Sequence, residues 1–193
     1  MVLEFLDSVK ESIVNLGDKD KNITGAAFEK LKGMGLNSES LNWLTSDVVE
    51  FLLEYLEIQQ KPSVKEYALL LTEYLVDHNP LQIKYKLSLL ITAVSNLFWD
   101  TKDNIKELAR NVFTKLLKCS GNKDLDPFLD TVYSVFSNPE VIEEGIEKLA
   151  SCIFVQNVEE SAISVIEPIL LKGLKGAKYE IQRKSCIIID NMC

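Results

Sequence analysis

Histidine is almost missing from this chain: His78 is the only one among 193 residues. No two-histidine metal site can be built within it, and most imidazole-dependent chemistry is excluded. Cysteine is sparse and scattered. Cys119, Cys152, Cys186 and Cys193 include no Cys-x-x-Cys, which reads against a zinc ribbon or disulfide framework and for reduced thiols. No apolar run approaches the roughly 18 residues that a membrane-spanning helix needs. Glu4 and Asp7 stand where a secretory signal would carry a basic lead and an unbroken apolar stretch, so nothing points to export. Period-two alternation bounded by turn residues is also missing, and strands are not expected. Cations are in deficit, with 21 Lys and Arg against 29 Asp and Glu for a net charge of −8. That excludes a protein that coats nucleic acid through a general cationic surface. What is present, 47% hydrophobic and 26% charged residues, is the balance of a soluble globular protein. The length suits one domain or one compact repeat array. An enzyme is the weaker reading.

The apolar residues recur with helical spacing. Ile105, Leu108, Ala109, Val112, Phe113, Leu116 and Leu117 stand at offsets 0, 3, 4, 7, 8, 11 and 12, one continuous helix face. The opening Ile105-Lys106-x-x-Ala109 sets a branched residue one turn before a small one. The same device occurs as Val64-Lys65-x-x-Ala68, Ile23-Thr24-x-x-Ala27, Val141-Ile142-x-x-Gly145 and Ile181-Gln182-x-x-Ser185. In chain order the five copies are spaced by 41, 41, 36 and 40 residues. The small residue would let a neighbouring helix backbone approach closely. Further amphipathic segments lie between these marks, the first over Val2 to Leu16 and the others approximately over 41–58, 81–98, 124–137 and 159–174. Asn79-Pro80 and Asn138-Pro139 read as an N-cap followed by proline at the first helical position, and Pro62 opens a helix in the same way. Pro168 lies inside an apolar segment, where it should kink the helix or mark its start.

A helix pair of this length cannot bury its apolar face alone, so neighbours must stack. The expectation is an all-α, right-handed superhelical solenoid of about five HEAT-type antiparallel helix pairs. They form a single domain over 1–193, with repeats at approximately 1–36, 41–77, 81–118, 124–156 and 159–193. The last helix presents Ile187, Ile188, Ile189 and Met192 with no repeat after it. Terminal repeats usually offer a polar outer face, so the natural chain is expected to continue.

Three strings carry a resemblance: Trp99-Asp100-Thr101-Lys102, Asn122-Lys123-Asp124 and, above all, Arg183-Lys184-Ser185-Cys186-Ile187-Ile188-Ile189-Asp190-Asn191-Met192-Cys193. With Pro168-Ile169-Leu170 and Gly173-Leu174, they make the chain resemble the N-terminal HEAT region of the fungal-type translation elongation factor 3 family. The resemblance is strong from about Trp99 onward. Before that it rests on Val2-Leu3-Glu4 and the repeat spacing. More distantly the region is similar to the large ribosome-bound regulator that activates the amino-acid-starvation kinase. The resemblance implies a cytoplasmic, ribosome-dependent ATPase that helps deacylated tRNA leave the exit site. Its HEAT domain would dock on ribosomal RNA and protein. ATP and magnesium would belong to cassettes of a full-length parent. No Gly-x-x-x-x-Gly-Lys-Ser/Thr occurs here, and Gly173-Leu174-Lys175-Gly176-Ala177-Lys178 has the wrong spacing and no hydroxyl residue. The chain itself is therefore not expected to be an enzyme or to hold a cofactor or metal.

The candidate ribosome-binding residues lie in one segment. Lys172, Lys175, Lys178, Arg183 and Lys184 stand against Glu180 alone, a local +4 in an acidic chain. Gly173 and Gly176 would let the turn approach a phosphate backbone. The competing reading is a solvated turn with cations at a helix C-terminus. Lys118 and Lys123 flank an earlier turn and would extend the stripe. Trp99 and Trp43 suit packing between repeats better than stacking on a base. His78 reads as a surface or capping residue. Trp99-Asp100 invites comparison with HEAT-like DNA glycosylases, which the acid balance disfavours.

The resulting expectation is a ribosome-binding HEAT domain that docks an elongation-factor-3-like factor and supports exit-site tRNA release. Its partners would be ribosomal RNA, ribosomal proteins and other elongation factors, without DNA or membrane, and the chain would be a cytoplasmic monomer. The alternative is a protein-interaction scaffold of the translational-control type that binds a kinase or adaptor.

Overall fold

The computed structural model describes residues 2–34, 44–176 and 178–192. Those residues contain α-helices and short 3-10 turns and no strand. None of the described helices is long and apolar enough to cross a membrane. Two compact units are present, Met1–Leu116 and Leu117–Cys193.

The first unit holds α1 (Val2–Leu16), α2 (Lys21–Gly33), α3 (Leu44–Tyr55), α4 (Pro62–His78), α5 (Pro80–Ile83), α6 (Leu87–Asn96) and most of α7 (Asp103–Lys118). α1 packs on α2, and α2 and α3 both pack on α4. The buried stripe of α1 is Val9, Ile13 and Leu16, the period expected of a helix with one apolar face. Asp20 caps α2 by accepting the Asn22 amide at 2.8 Å, and Pro62 occupies the first turn of α4. Asn79 does not cap. Its side chain is buried and donates to the Thr45 hydroxyl at 2.8 Å. The amphipathic segment expected over 81–98 is not one helix but α5, a 3-10 turn at Lys84–Lys86, α6 and a second 3-10 turn at Leu97–Trp99. The break sits at Lys86, whose φ of −119° and ψ of 12° leave the helical region.

The second unit holds α8 (Leu129–Ser137), α9 (Ile142–Leu149), α10 (Glu160–Lys175) and α11 (Tyr179–Met192). Here the asparagine cap forms: Asn138 accepts the Glu140 amide at 3.1 Å at the entry to the 3-10 turn Pro139–Val141. Pro168 does not mark a helix start, because α10 begins at Glu160 and runs through it. α8, α9, α10 and α11 pack on one another in succession, and α11 also packs on α9.

The small residues of the five spaced strings are Ala27, Ala68, Ala109, Gly145 and Ser185, and all are buried. A Cβ at Gly145 would stand 2.3 Å from Val135 Cγ2 of α8. At Gly173 it would stand 2.4 Å from both Ile146 Cδ1 of α9 and Ser185 Oγ of α11. Three helices therefore meet where no side chain fits. The Ser185 hydroxyl donates to the Ile181 carbonyl of its own helix at 2.9 Å, as Thr72 does to Ala68 at 2.8 Å. A hydroxyl satisfied within its own helix offsets much of the cost of its burial and acts as a small spacer. On α11, Ile181, Ser185 and Ile188 face inward, while Ile187 and Ile189 stay 37% and 39% exposed.

Candidate functional site

The basic segment joins α10 to α11. Lys172 and Lys175 lie three residues apart in the last turn of α10, both exposed. Cations there are favoured by the partial negative charge of the helix C-terminus. Gly176 ends the helix with its amide bonded to the Gly173 carbonyl, and its own carbonyl accepts the Gln182 side chain at 2.7 Å. That bond pins the turn. Gly173 is not part of it: this glycine is buried in α10 under Ile146 and Ser185, so it serves packing rather than approach to a phosphate.

The five cations divide into two groups. Lys178 reaches Glu143 of α9 at 2.6 Å, and Lys184 reaches Glu147 at 2.8 Å and Glu180 at 3.6 Å. The Glu143 hydrogen bond raises the Lys178 pKa above that of a free lysine, and the Glu147 bond does the same for Lys184. Reciprocally, the Lys184 bond lowers the Glu147 carboxyl. Lys172, Lys175 and Arg183 are exposed and enter no ion pair among the described residues. Five cations against Glu143, Glu147 and Glu180 leave a local +2 rather than the +4 counted along the chain.

Lys118 and Lys123 do not join this group. Lys118 ends α7, and Lys123 lies in the connection to α8 that Asn122 and Asp124 organise. Asn122 Oδ1 accepts the amide of Asp124 at 2.9 Å, and Asp124 Oδ2 accepts those of Val155 and Gln156, each at 2.8 Å. Gly121, at φ 67°, takes the left-handed conformation that the turn requires. Cys152 Sγ donates to the Asp124 carbonyl at 3.4 Å, and Asn191, near the C-terminal end of α11, donates to the Cys152 carbonyl at 3.5 Å. These contacts set the loop bearing Lys123 beside the end of α11. The basic turn is at its start, about 20 Å away over 14 residues.

In the other unit, Trp99 is 58% exposed and is not a packing residue. Its neighbour Phe98 is the buried one, meeting the Phe113 ring edge-on with centroids 5.0 Å apart. Asp100 is buried in an ion pair with buried Lys65, and it also accepts the Lys102 amide at 2.9 Å. Burial alone would raise its pKa. The hydrogen bonds from Lys65 and the Lys102 amide outweigh that, and the carboxyl titrates below the ordinary aspartate value. A carboxylate so engaged is not offered to a flipped base. His78, at the exposed end of α4, has its ring stacked near Tyr74 with Nδ1 2.7 Å from the Tyr74 carbonyl oxygen. Trp43 and Cys193 lie outside the described residues.

The sequence signals one of these features and not the other. The loop residues Asn122 and Asp124 appear as a string, and their backbone-capping role follows from their type. The acids of α9 that hold Lys178 and Lys184 give no such signal.

Residues 3–113 match the family model described as EF3 N-terminal HEAT repeat, and residues 140–193 match that described as Elongation factor 3/GNC1 HEAT repeat. The chain is 33% identical over 178 residues to elongation factor 3 of Phytophthora infestans, a match covering 92% of this chain and 17% of that protein. It is 38% identical over 129 residues to elongation factor 3 of Pneumocystis carinii, covering 67% and 12%. Against elongation factor 3 of Candida albicans it is 31% identical over 188 residues, covering 97% and 18%. The chain thus spans less than a fifth of the length of these relatives. The match over 3–113 reaches well ahead of Trp99, where the sequence offered few specific strings.

Proposed function

This chain belongs to the EF3 N-terminal HEAT-repeat family, with the all-α fold of that class, and from that premise we propose that it docks an elongation-factor-3-like translation factor onto the ribosome. In this reading it works in the cytoplasm and supplies binding rather than chemistry. ATP hydrolysis would belong to cassettes of a longer parent, and the docked factor would support exit-site tRNA release. The five-repeat division at approximately 1–36, 41–77, 81–118, 124–156 and 159–193 goes with the proposal.

The observation that supports it best is the turn between α10 and α11. There Lys172, Lys175 and Arg183 project into solvent with no acid among the described residues to hold them, on a scaffold fixed by the Gln182–Gly176 bond. Such cations suit phosphate contacts that position a protein without reading sequence. Lys178 and Lys184 hold α11 to α9 in this arrangement and serve as support. The acidity of the remaining surface suits basic ribosomal proteins.

Co-sedimentation with purified ribosomes at two salt concentrations tests the proposal. The triple variant Lys172→Glu, Lys175→Glu, Arg183→Glu should lose salt-sensitive binding by about tenfold or more, while Lys118→Glu with Lys123→Glu should bind as the parent does. Undiminished binding of the triple variant would move the contact to another surface. No binding by the parent chain would favour the scaffold reading, in which the family's shared HEAT region serves a kinase or adaptor.

A further inference from the structure

The unit Met1–Leu116 carries an open groove of about 650 Å³ lined chiefly by Leu53, Leu56, Ile58, Leu89, Ala93 and Trp99. Ile58, Leu89 and Trp99 leave about half of their surface in water. An apolar concavity with an exposed tryptophan on its wall has the composition of a protein-binding hot spot.

Its walls are held in place before anything binds. The buried Lys65 ammonium pairs with Asp100, the residue after Trp99, and donates to the Ile58 carbonyl at 3.0 Å. One cation thus ties together the two backbone stretches that present Ile58 and Trp99. Phe98, locked on Phe113, fixes the same turn from inside. A preformed groove loses little entropy when it is filled.

The charge beside it selects the occupant, for Glu57 lines the groove and ends an acidic run that begins on α3. Asp47, Glu50, Glu54 and Glu57 follow one another at spacings of 3, 4 and 3, one exposed stripe along α3 and its end, and α3 contains no Lys or Arg. Among the described residues only Glu50 of these meets a cation, Lys86 at 2.5 Å. A nucleic acid stacking a base on Trp99 would bring its phosphates to these carboxylates. A second copy would set one acidic chain against another, each at −8.

We propose that this groove docks a cationic segment of a partner protein. The segment inserts two or three aliphatic or aromatic side chains between Ile58, Leu89 and Trp99 and sets Lys or Arg against Glu54 and Glu57. This surface is separate from the lysine turn and does not rest on the ribosome reading.

Calorimetric titration of the full chain tests it with a synthetic amphipathic peptide that carries leucine at i, i+3, i+4 and i+7 and lysine elsewhere. One control replaces the lysines by glutamate, and the other replaces the leucines by serine. The lysine–leucine peptide should bind at least about tenfold tighter than either control. Trp99→Ala should weaken it by about tenfold or more, and Glu54→Lys with Glu57→Lys by a similar factor, with helical circular dichroism unchanged. The triple variant Lys172→Glu, Lys175→Glu, Arg183→Glu should bind the peptide normally, so failure of the ribosome reading would leave this result intact. Equal binding of the controls or indifference to Trp99→Ala would overturn the proposal. So would capture of an RNA oligonucleotide that Trp99→Ala abolishes, or self-association in sedimentation that the same substitution removes.

Discussion

Lys65 and Asp100 form a charge pair almost wholly withdrawn from water, and such a pair is stable only while both members are present. Asp100→Ala leaves an ammonium with the Ile58 carbonyl as its remaining partner and should cost about 3–5 kcal/mol in urea unfolding. Lys65→Met together with Asp100→Leu should cost less than either single change. The pair also sets an acid dependence. Asp100 titrates lower in the folded state than in the unfolded chain, so its contribution is complete above the unfolded pKa and is lost as pH falls through the folded one. The stability gap between the parent and Asp100→Asn should therefore be full at neutral pH and should close in strong acid. Sequence exposed only half of this. Trp99-Asp100-Thr101-Lys102 stands out as a string, but Lys65 sits inside a repeat marker, and its neighbour in the next copy, Lys106, is a surface lysine bound to Asp103 at 2.9 Å. Only packing separates one lysine from the other. The same blindness assigned Trp99 to packing, where the buried ring is that of its neighbour Phe98.

At the scale of helices, the spaced small residues were legible because stacking imposes its period on the sequence, and each of the five is buried. Gly173 was misread as a turn residue, since its constraint comes from Ile146 and Ser185, which the sequence sets far from it. Gly173→Ala should destabilise the chain by about 1–3 kcal/mol, seen as a lowered thermal midpoint, and adding Ile146→Val should recover part of the loss. The lysine turn shows the matching error with charges. Counting along the chain could not find the partners of Lys178 and Lys184, which are 35 and 37 residues away on α9. Exchanging these two for glutamate should lower the thermal midpoint, because each exposed pair with α9 becomes a contact between like charges. Lys172→Glu should lower the thermal midpoint less, through its unfavourable charge at the C-terminus of α10 alone. Thermal scans of the variants beside their ribosome binding would separate support from contact.

For the molecule as a whole, an acidic chain must bind a polyanion through few contacts. With three cations in the turn that meet no acid among the described residues, the logarithm of ribosome affinity should fall with the logarithm of salt at a slope of about −2 to −3. A slope of about −4 to −5 would mean that all five cations reach phosphate. A salt series of sedimentation assays reads this directly. Membership of the family was legible from Trp99 onward through distinctive strings, whereas over the earlier residues it resides in diffuse similarity that a family model detects and a motif does not. The junction of Gly173, Ile146 and Ser185 carries one more consequence. Three helices share a single small volume there, with 2.4 Å left for any added carbon. Evolution cannot enlarge one of these positions without shrinking another. Among related chains the three should drift as a linked set, a larger residue at 173 accompanied by a trimmed one at 146 or 185.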